Sequence, residues 1–318
     1  MRKIAIVPAL LLISAMFAVA EYSGQGEIIF PEIAALALGA WIMERPPWQG
    51  SALHFWISPT LAALTGVLIV RFFDYAPFPM ITAAFCLVVL QLKLLRSGVL
   101  PSISAAILAI ITRCDSWQYP LSVCVLTATV SLGHRYLNSN APVGKPATGA
   151  GKEPEENVWS QTEFAHWGKL LATVMLMSTV ASVSGQMFVV APPLIVAFVE
   201  LSKPGGRLRD RWGAILGLLV FAAFSGVFWY ALLHTTLGWP LWLSACVATL
   251  TVFFAYNRLR FPFPPVVAIA LLPTIVPAES LWSYPWQVAA GSAAFIAISR
   301  VCFGQCERIP LSKTSSTE

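Results

Sequence analysis

Charge is what this sequence has least of. Only 11% of its 318 residues are Asp, Glu, Lys or Arg, against about 25% in a typical soluble domain. A water-soluble fold of this length would bury a large core and still need a charged surface, and the residues for one are missing. Histidine is scarce too: the four (54, 134, 166 and 234) are scattered with no partner at metal-ligand spacing. There is no glycine-rich phosphate loop, no Gly-x-Ser-x-Gly, and no pair of carboxylates inside an apolar run. Acid–base, nucleophilic and phosphate chemistry therefore find no candidate residues, and neither an enzyme nor a cofactor is expected. The six cysteines (86, 114, 124, 246, 302 and 306) share no spacing. One Cys302-x-x-x-Cys306 pair is a weak metal signal, and thiols lying in apolar segments are the plainer reading.

What the chain has is apolar length. Hydrophobic residues make up 57% of it, and uncharged stretches such as 75–92, 118–134, 212–233 and 238–257 reach or approach the roughly 20 residues that cross a bilayer. They are too long, and too uniformly apolar, for barrel strands. The expected class is an all-α, polytopic helical membrane protein of about twelve segments.

Those segments occur as a repeat. Trp117-Gln-Tyr119-Pro120 returns as Trp282-Ser-Tyr284-Pro285, each followed fifteen residues on by an arginine, Arg135 and Arg300. Leu95-Arg96 before Pro101 returns as Leu259-Arg260 before Pro265, and Ala62-Ala63-x-x-Gly66-Val67 returns as Ala222-Ala223-x-x-Gly226-Val227. The offsets of 160, 164 and 165 keep one order, as a tandem duplication would. Basic residues concentrate on the cytoplasmic side of a membrane protein. With twelve crossings and a cytoplasmic N-terminus, 18 of the 20 lysines and arginines fall inside and only Arg71 and Arg113 outside. If the second and fifth segments of each half were re-entrant, the split would be 10 to 10. Twelve crossings are expected, hence two parallel six-segment repeats.

The division is a first membrane repeat over 1–137, a flexible cytoplasmic linker over 138–164, a second membrane repeat over 165–303 and a cytoplasmic tail over 304–318. The linker is rich in Gly, Pro, Lys and Glu, a composition with nothing to bury. Residues 1–20 also resemble a secretory signal ending Ala18-Val19-Ala20. The equivalent run in the second half cannot be one, so a retained helix is expected. The net charge of +5 sits at segment ends and marks orientation rather than nucleic-acid binding. The expected partners are the lipid bilayer and a small molecule or ion, and a homo-oligomer is compatible with them. The location is a bacterial inner membrane, multi-pass, with both termini cytoplasmic.

The second and fifth segments are short and marked by proline: Pro31 and Pro192-Pro193, then Pro101 and Pro264-Pro265. Proline suits the first turn of a helix, and short Pro-interrupted segments at matching positions of two repeats point to a transport site. Substrate-binding candidates are therefore Pro101, Pro192, Pro193, Pro264 and Pro265, with Ser102 and Ser104 as hydroxyl donors. Glu200 joins them as an ionisable residue near a membrane-segment end, although a surface pair with Lys203 is equally expected. The alternative reading of the prolines is simple kinks. The basic cluster Lys203, Arg207, Arg209 and Arg211 reads as a lipid-facing anchor, and Trp117, Tyr119, Trp282 and Tyr284 as an interfacial aromatic belt.

The second half resembles the HPP family of integral membrane proteins. The resemblance rests on APPLIVAFVELSKPGGRLRDRWGAILGLL, on the helix around Gly226, and on RFPFPPVVAIALLP, which is similar to the family's His-Pro-Pro signature with Phe263 in place of the His. The first half has Gly98-Val-Leu-Pro101-Ser there, with one proline. Some relatives are linked to nitrite transport. The expectation is an integral membrane transporter or channel for a small inorganic anion such as nitrite. A non-transporting membrane scaffold that recruits partners through its linker and tail is the alternative.

Overall fold

A computed structural model describes residues 5–44, 47–48, 50–73, 75–139 and 161–303. Most of the expected linker and all of the expected tail lie outside the described residues. All regular structure among those described is helical. The α-helices are α1 (Ile6–Ser23), α2 (Glu32–Ala37), α3 (Ala52–Phe72), α4 (Pro77–Leu94), α5 (Pro101–Ile111) and α6 (Gln118–Ser139). They continue with α7 (Gln161–Ser184), α8 (Pro192–Leu201), α9 (Trp212–Trp229), α10 (Leu241–Leu259), α11 (Pro265–Leu271) and α12 (Tyr284–Phe303). A π turn over Leu38–Ile42 extends α2, another over Tyr230–Thr236 extends α9, and a 3₁₀ turn over Leu272–Thr274 extends α11. Among the described residues, six stretches are long and apolar enough to cross a membrane: Ile6–Ser23, Ala52–Phe72, Pro77–Leu94, Thr162–Ser184, Leu208–Thr236 and Tyr284–Phe303.

The four short helices form the centre. Every residue of α2, α8 and α11 is buried, as is α5 up to Ile110. Their sequences explain most of this, because helices with so few polar residues have no polar face to offer water and are enclosed. The long helices enclose them. Gly66 of α3 lets that helix touch α5: a Cβ there would lie 2.4 Å from the Ala106 carbonyl oxygen. Gly226 of α9 does the same against α11, where a Cβ would lie 2.2 Å from the Ala270 oxygen. Small residues permit such backbone approach in membrane helices, where close packing replaces the hydrophobic effect as the driving force.

Other contacts come in matching pairs. α1 ends at Gly24 (φ 69) and α7 at Gly185 (φ 70), and each turn is closed by an N–H bond of 3.0 Å, Gln25 to the Ala20 oxygen and Gln186 to the Ala181 oxygen. The left-handed glycine makes this helix stop. Arg96 (φ 50) and Arg260 (φ 51) take the same backbone region after α4 and α10. The Tyr119 hydroxyl donates to the Ala105 oxygen of α5 and the Tyr284 hydroxyl to the Ile269 oxygen of α11, both at 2.7 Å. Contacts also cross between the halves: α1 packs on α10 and α4 on α7. A hydrogen bond from the Leu241 N–H to Glu21 Oε2 (2.8 Å) and a Lys93–Glu163 ion pair (2.6 Å) join those elements.

The aromatic belt is corrected in part. Trp117 and Trp282 are exposed in the turns that precede α6 and α12, but Tyr119 and Tyr284, in the first turns of those helices, are buried. Each tyrosine therefore supplies a donor to a short helix, rather than an anchor at the interface. Tyr284→Phe should lower stability by about 1–3 kcal/mol through the orphaned Ile269 carbonyl, and thermal melting in detergent would show it. The basic cluster is corrected as well. Arg209 is buried, with Nη1 donating to the Phe303 oxygen and Nη2 to the Lys203 oxygen, so it ties a loop to the end of α12 instead of facing lipid.

Candidate functional site

The four short helices touch in a closed ring: α2 against α5, α5 against α8, α8 against α11, and α11 against α2. Where they meet is a cavity of about 10 Å³, room for one water molecule. Each helix lines it with two residues one turn apart: Glu32 and Ala35, Pro101 and Ser104, Pro193 and Val196, Pro265 and Ala268. All eight lie in the first turn or so of their helices. The reason is chemical as well as geometric. Proline's missing N–H costs nothing in a first turn, so these helices can begin inside the protein without leaving a donor unpaired at that residue. The positive dipole ends of the two longer ones, α5 and α8, point toward the junction.

The polar groups of the junction come from the first half. Glu32 is 1% exposed. Its Oε1 accepts a 2.5 Å hydrogen bond from the Ser104 hydroxyl, while Oε2 has no partner. The cavity-lining residues of the second half that stand opposite these two in helix order are Pro193 and Ala268, so the other half is apolar where this half is polar. Trp48 completes the lining. Its indole lies over Gly39, where a Cβ would be 2.4 Å from the ring, and its Nε1 donates to Glu200 Oε1 at 2.8 Å.

Of the residues singled out in the sequence, Pro101, Ser104, Pro193 and Pro265 meet at this cavity. Pro192 and Pro264 are buried beside them without lining it, and Ser102 is buried with an unpartnered hydroxyl. Glu200 lies at the far end of α8 and reaches the junction only through Trp48. Its carboxylate accepts the hydrogen bond from that indole, and the Lys203 charge also acts on it. Glu32 and Trp48 were not among the candidates. The available signal for Glu32 was an acidic residue directly after Pro31 at the start of a Pro-marked segment. For Trp48 there was none, since a lone aromatic in a short connection has many uses. The second half is richer in paired prolines and carries the basic cluster, yet the polar side chains of the lining, Glu32 and Ser104, are from the first.

A second cavity, of about 290 Å³, opens where α5 ends, and Glu27, Leu108, Thr112, Arg113, Tyr119 and Thr274 are among the residues that line it. Ser104 and Leu108 on α5, and Thr112 directly after its last residue, succeed one another by one turn, so one helix face runs from the junction to this vestibule with Leu108 between them. Among the described residues no group of three or more His, Cys, Asp or Glu gathers in one place, so they contain no candidate metal centre. No protein-family model matches the chain, and neither a curated protein nor a solved structure matches it.

Proposed function

We propose that this chain is a bacterial inner-membrane transporter or channel for a small inorganic anion such as nitrite, and a divergent relative of the HPP family. In this reading it consists of two parallel six-segment repeats with both termini cytoplasmic. The observation that carries it is the meeting of four short, proline-initiated helices, two from each half, at one enclosed cavity. Discontinuous or short helices that meet at the junction of two repeats are how many transporters build a site at membrane depth.

The paired contacts support the repeat: Gly66 with Gly226, Gly24 with Gly185, Arg96 with Arg260, and Tyr119 with Tyr284. The vestibule, whose wall carries Arg113 and Glu27, gives a polar approach to the junction from the end where α5 finishes. Passage then requires Leu108 to move aside and the junction to widen, since about 10 Å³ holds no ion larger than a water. The scaffold reading rests on the linker and tail, which lie mainly outside the described residues.

Purified protein in liposomes of phosphatidylethanolamine and phosphatidylglycerol should raise the uptake of nitrite or nitrate at least tenfold over empty vesicles. Absence of protein-dependent flux for nitrite, nitrate and similar small anions would overturn the proposal.

A further inference from the structure

We propose that Glu32 is a proton-binding site, and that an anion crosses the four-helix junction only together with a proton on this carboxyl. The anion half of this inference rests on the function proposed above, whereas the proton site rests on geometry alone. Glu32 is enclosed on every side by Ala35, Val196, Ala268, three prolines, Trp48 and Ser104. One of its oxygens is satisfied by Ser104, and the other has no hydrogen-bond partner. An acidic oxygen left without a partner in such a place needs a ligand that one oxygen can hold.

A metal cation is a poor fit. Hard cations take about six or more oxygen ligands, and the junction offers two from Glu32, one from Ser104 and space for one water. A proton needs only the one free oxygen. The neighbours do not compete for it. Among the elements packed on α2, α6 brings Tyr119, whose hydroxyl is spent on the Ala105 carbonyl, and His134, bonded to the Ala40 carbonyl farther along. α1 brings Glu21 at its far end, which accepts the Leu241 N–H. α5, α11 and the π turn after α2 bring no titratable group. Tyr284 of α12 is engaged by the Ile269 carbonyl, and Glu200 lies behind the Trp48 indole.

The coupling follows from charge. Two negative charges in one small, dry site repel strongly, as paired carboxylates do. An anion can therefore enter the widened junction when Glu32 has taken up a proton, becoming a neutral carboxylic acid. On the far side both leave, the proton returning Glu32 to the carboxylate. One anion moves with one proton, so no net charge crosses.

The test uses nitrate, whose conjugate acid is too strong to cross lipid unaided as a neutral molecule. Wild-type proteoliposomes should take up nitrate in response to an inward proton gradient and ignore a potassium–valinomycin potential. Glu32→Gln keeps an acceptor for Ser104 but cannot bind a proton. Its uptake should ignore the proton gradient and follow an inside-positive potential instead. Wild-type uptake that follows potential, or E32Q uptake that still follows the proton gradient, overturns the coupling. If wild type carries no anion, the transport reading fails by itself, and infrared difference spectra between low and high pH decide the proton site separately. A protonated-carboxyl band present in wild type and Glu200→Gln but missing in E32Q supports it. A spectrum unchanged by E32Q overturns it.

Discussion

Gly226→Ile is expected to abolish the folded protein. The new Cβ would stand 2.2 Å from the Ala270 carbonyl oxygen, and that oxygen belongs to the backbone of a fully buried helix that cannot rotate away as a side chain can. Overpacking a core usually costs about 1–3 kcal/mol. Here the clash is with main chain, and relief requires α9 and α11 to separate, so the loss should exceed about 4 kcal/mol, in the exceptional tail of single substitutions. Gly66→Ile should behave alike, with 2.4 Å to the Ala106 oxygen. Gly217→Ile is the internal control: it lies on the same α9, and a Cβ there meets nothing within 4 Å. Size-exclusion profiles in mild detergent should show a monodisperse peak for Gly217→Ile and none for Gly226→Ile. A normal peak for Gly226→Ile would mean that the close contact of α9 with α11 is not required.

The two glycines also show how far the sequence could be read. The recurrence of Ala-Ala-x-x-Gly-Val at 62–67 and 222–227 was visible as a pattern, and its purpose was not. A glycine in an apolar run looks the same whether it faces lipid, as open space beside Gly217 allows, or another backbone. The helical class was legible because charge is so scarce, and the starts of α5, α8 and α11 were legible because proline fits the first turn of a helix better than its interior, although Pro59 lies inside α3. Burial was harder. Tyr119 and Tyr284 looked like the tryptophans two positions before them, since the tendency of both residues to collect at interfaces says nothing about which helix face they occupy. Glu32 went unread because one acidic residue at the edge of an apolar stretch normally marks the end of that stretch. Only the folding of Ser104 onto it from α5, 72 residues away, makes it part of a site.

Trp48→Phe should loosen the same junction from its other end. The phenyl ring can still lie over Gly39, but the N–H that Glu200 accepts is gone, and a buried acidic group is left without its donor. The expected loss is about 3 kcal/mol, read by thermal melting. Glu200→Leu alone should cost less, about 1–2 kcal/mol, because an unpaired indole N–H is a neutral group. The decisive comparison is the double variant. If the bond between Trp48 and Glu200 is what matters, Trp48→Phe with Glu200→Leu should be no less stable than Glu200→Leu alone, since neither polar partner remains to be orphaned. Losses that simply add would show that each side chain acts through other contacts. The bond also joins the halves, with its donor on the connection after α2 and its acceptor on α8. Trp48→Ala, which removes the ring that closes the cavity beside Glu32, should therefore raise passive nitrate leak by tenfold or more in the same liposomes. Leak unchanged from wild type would mean that the indole packs against the junction without sealing it.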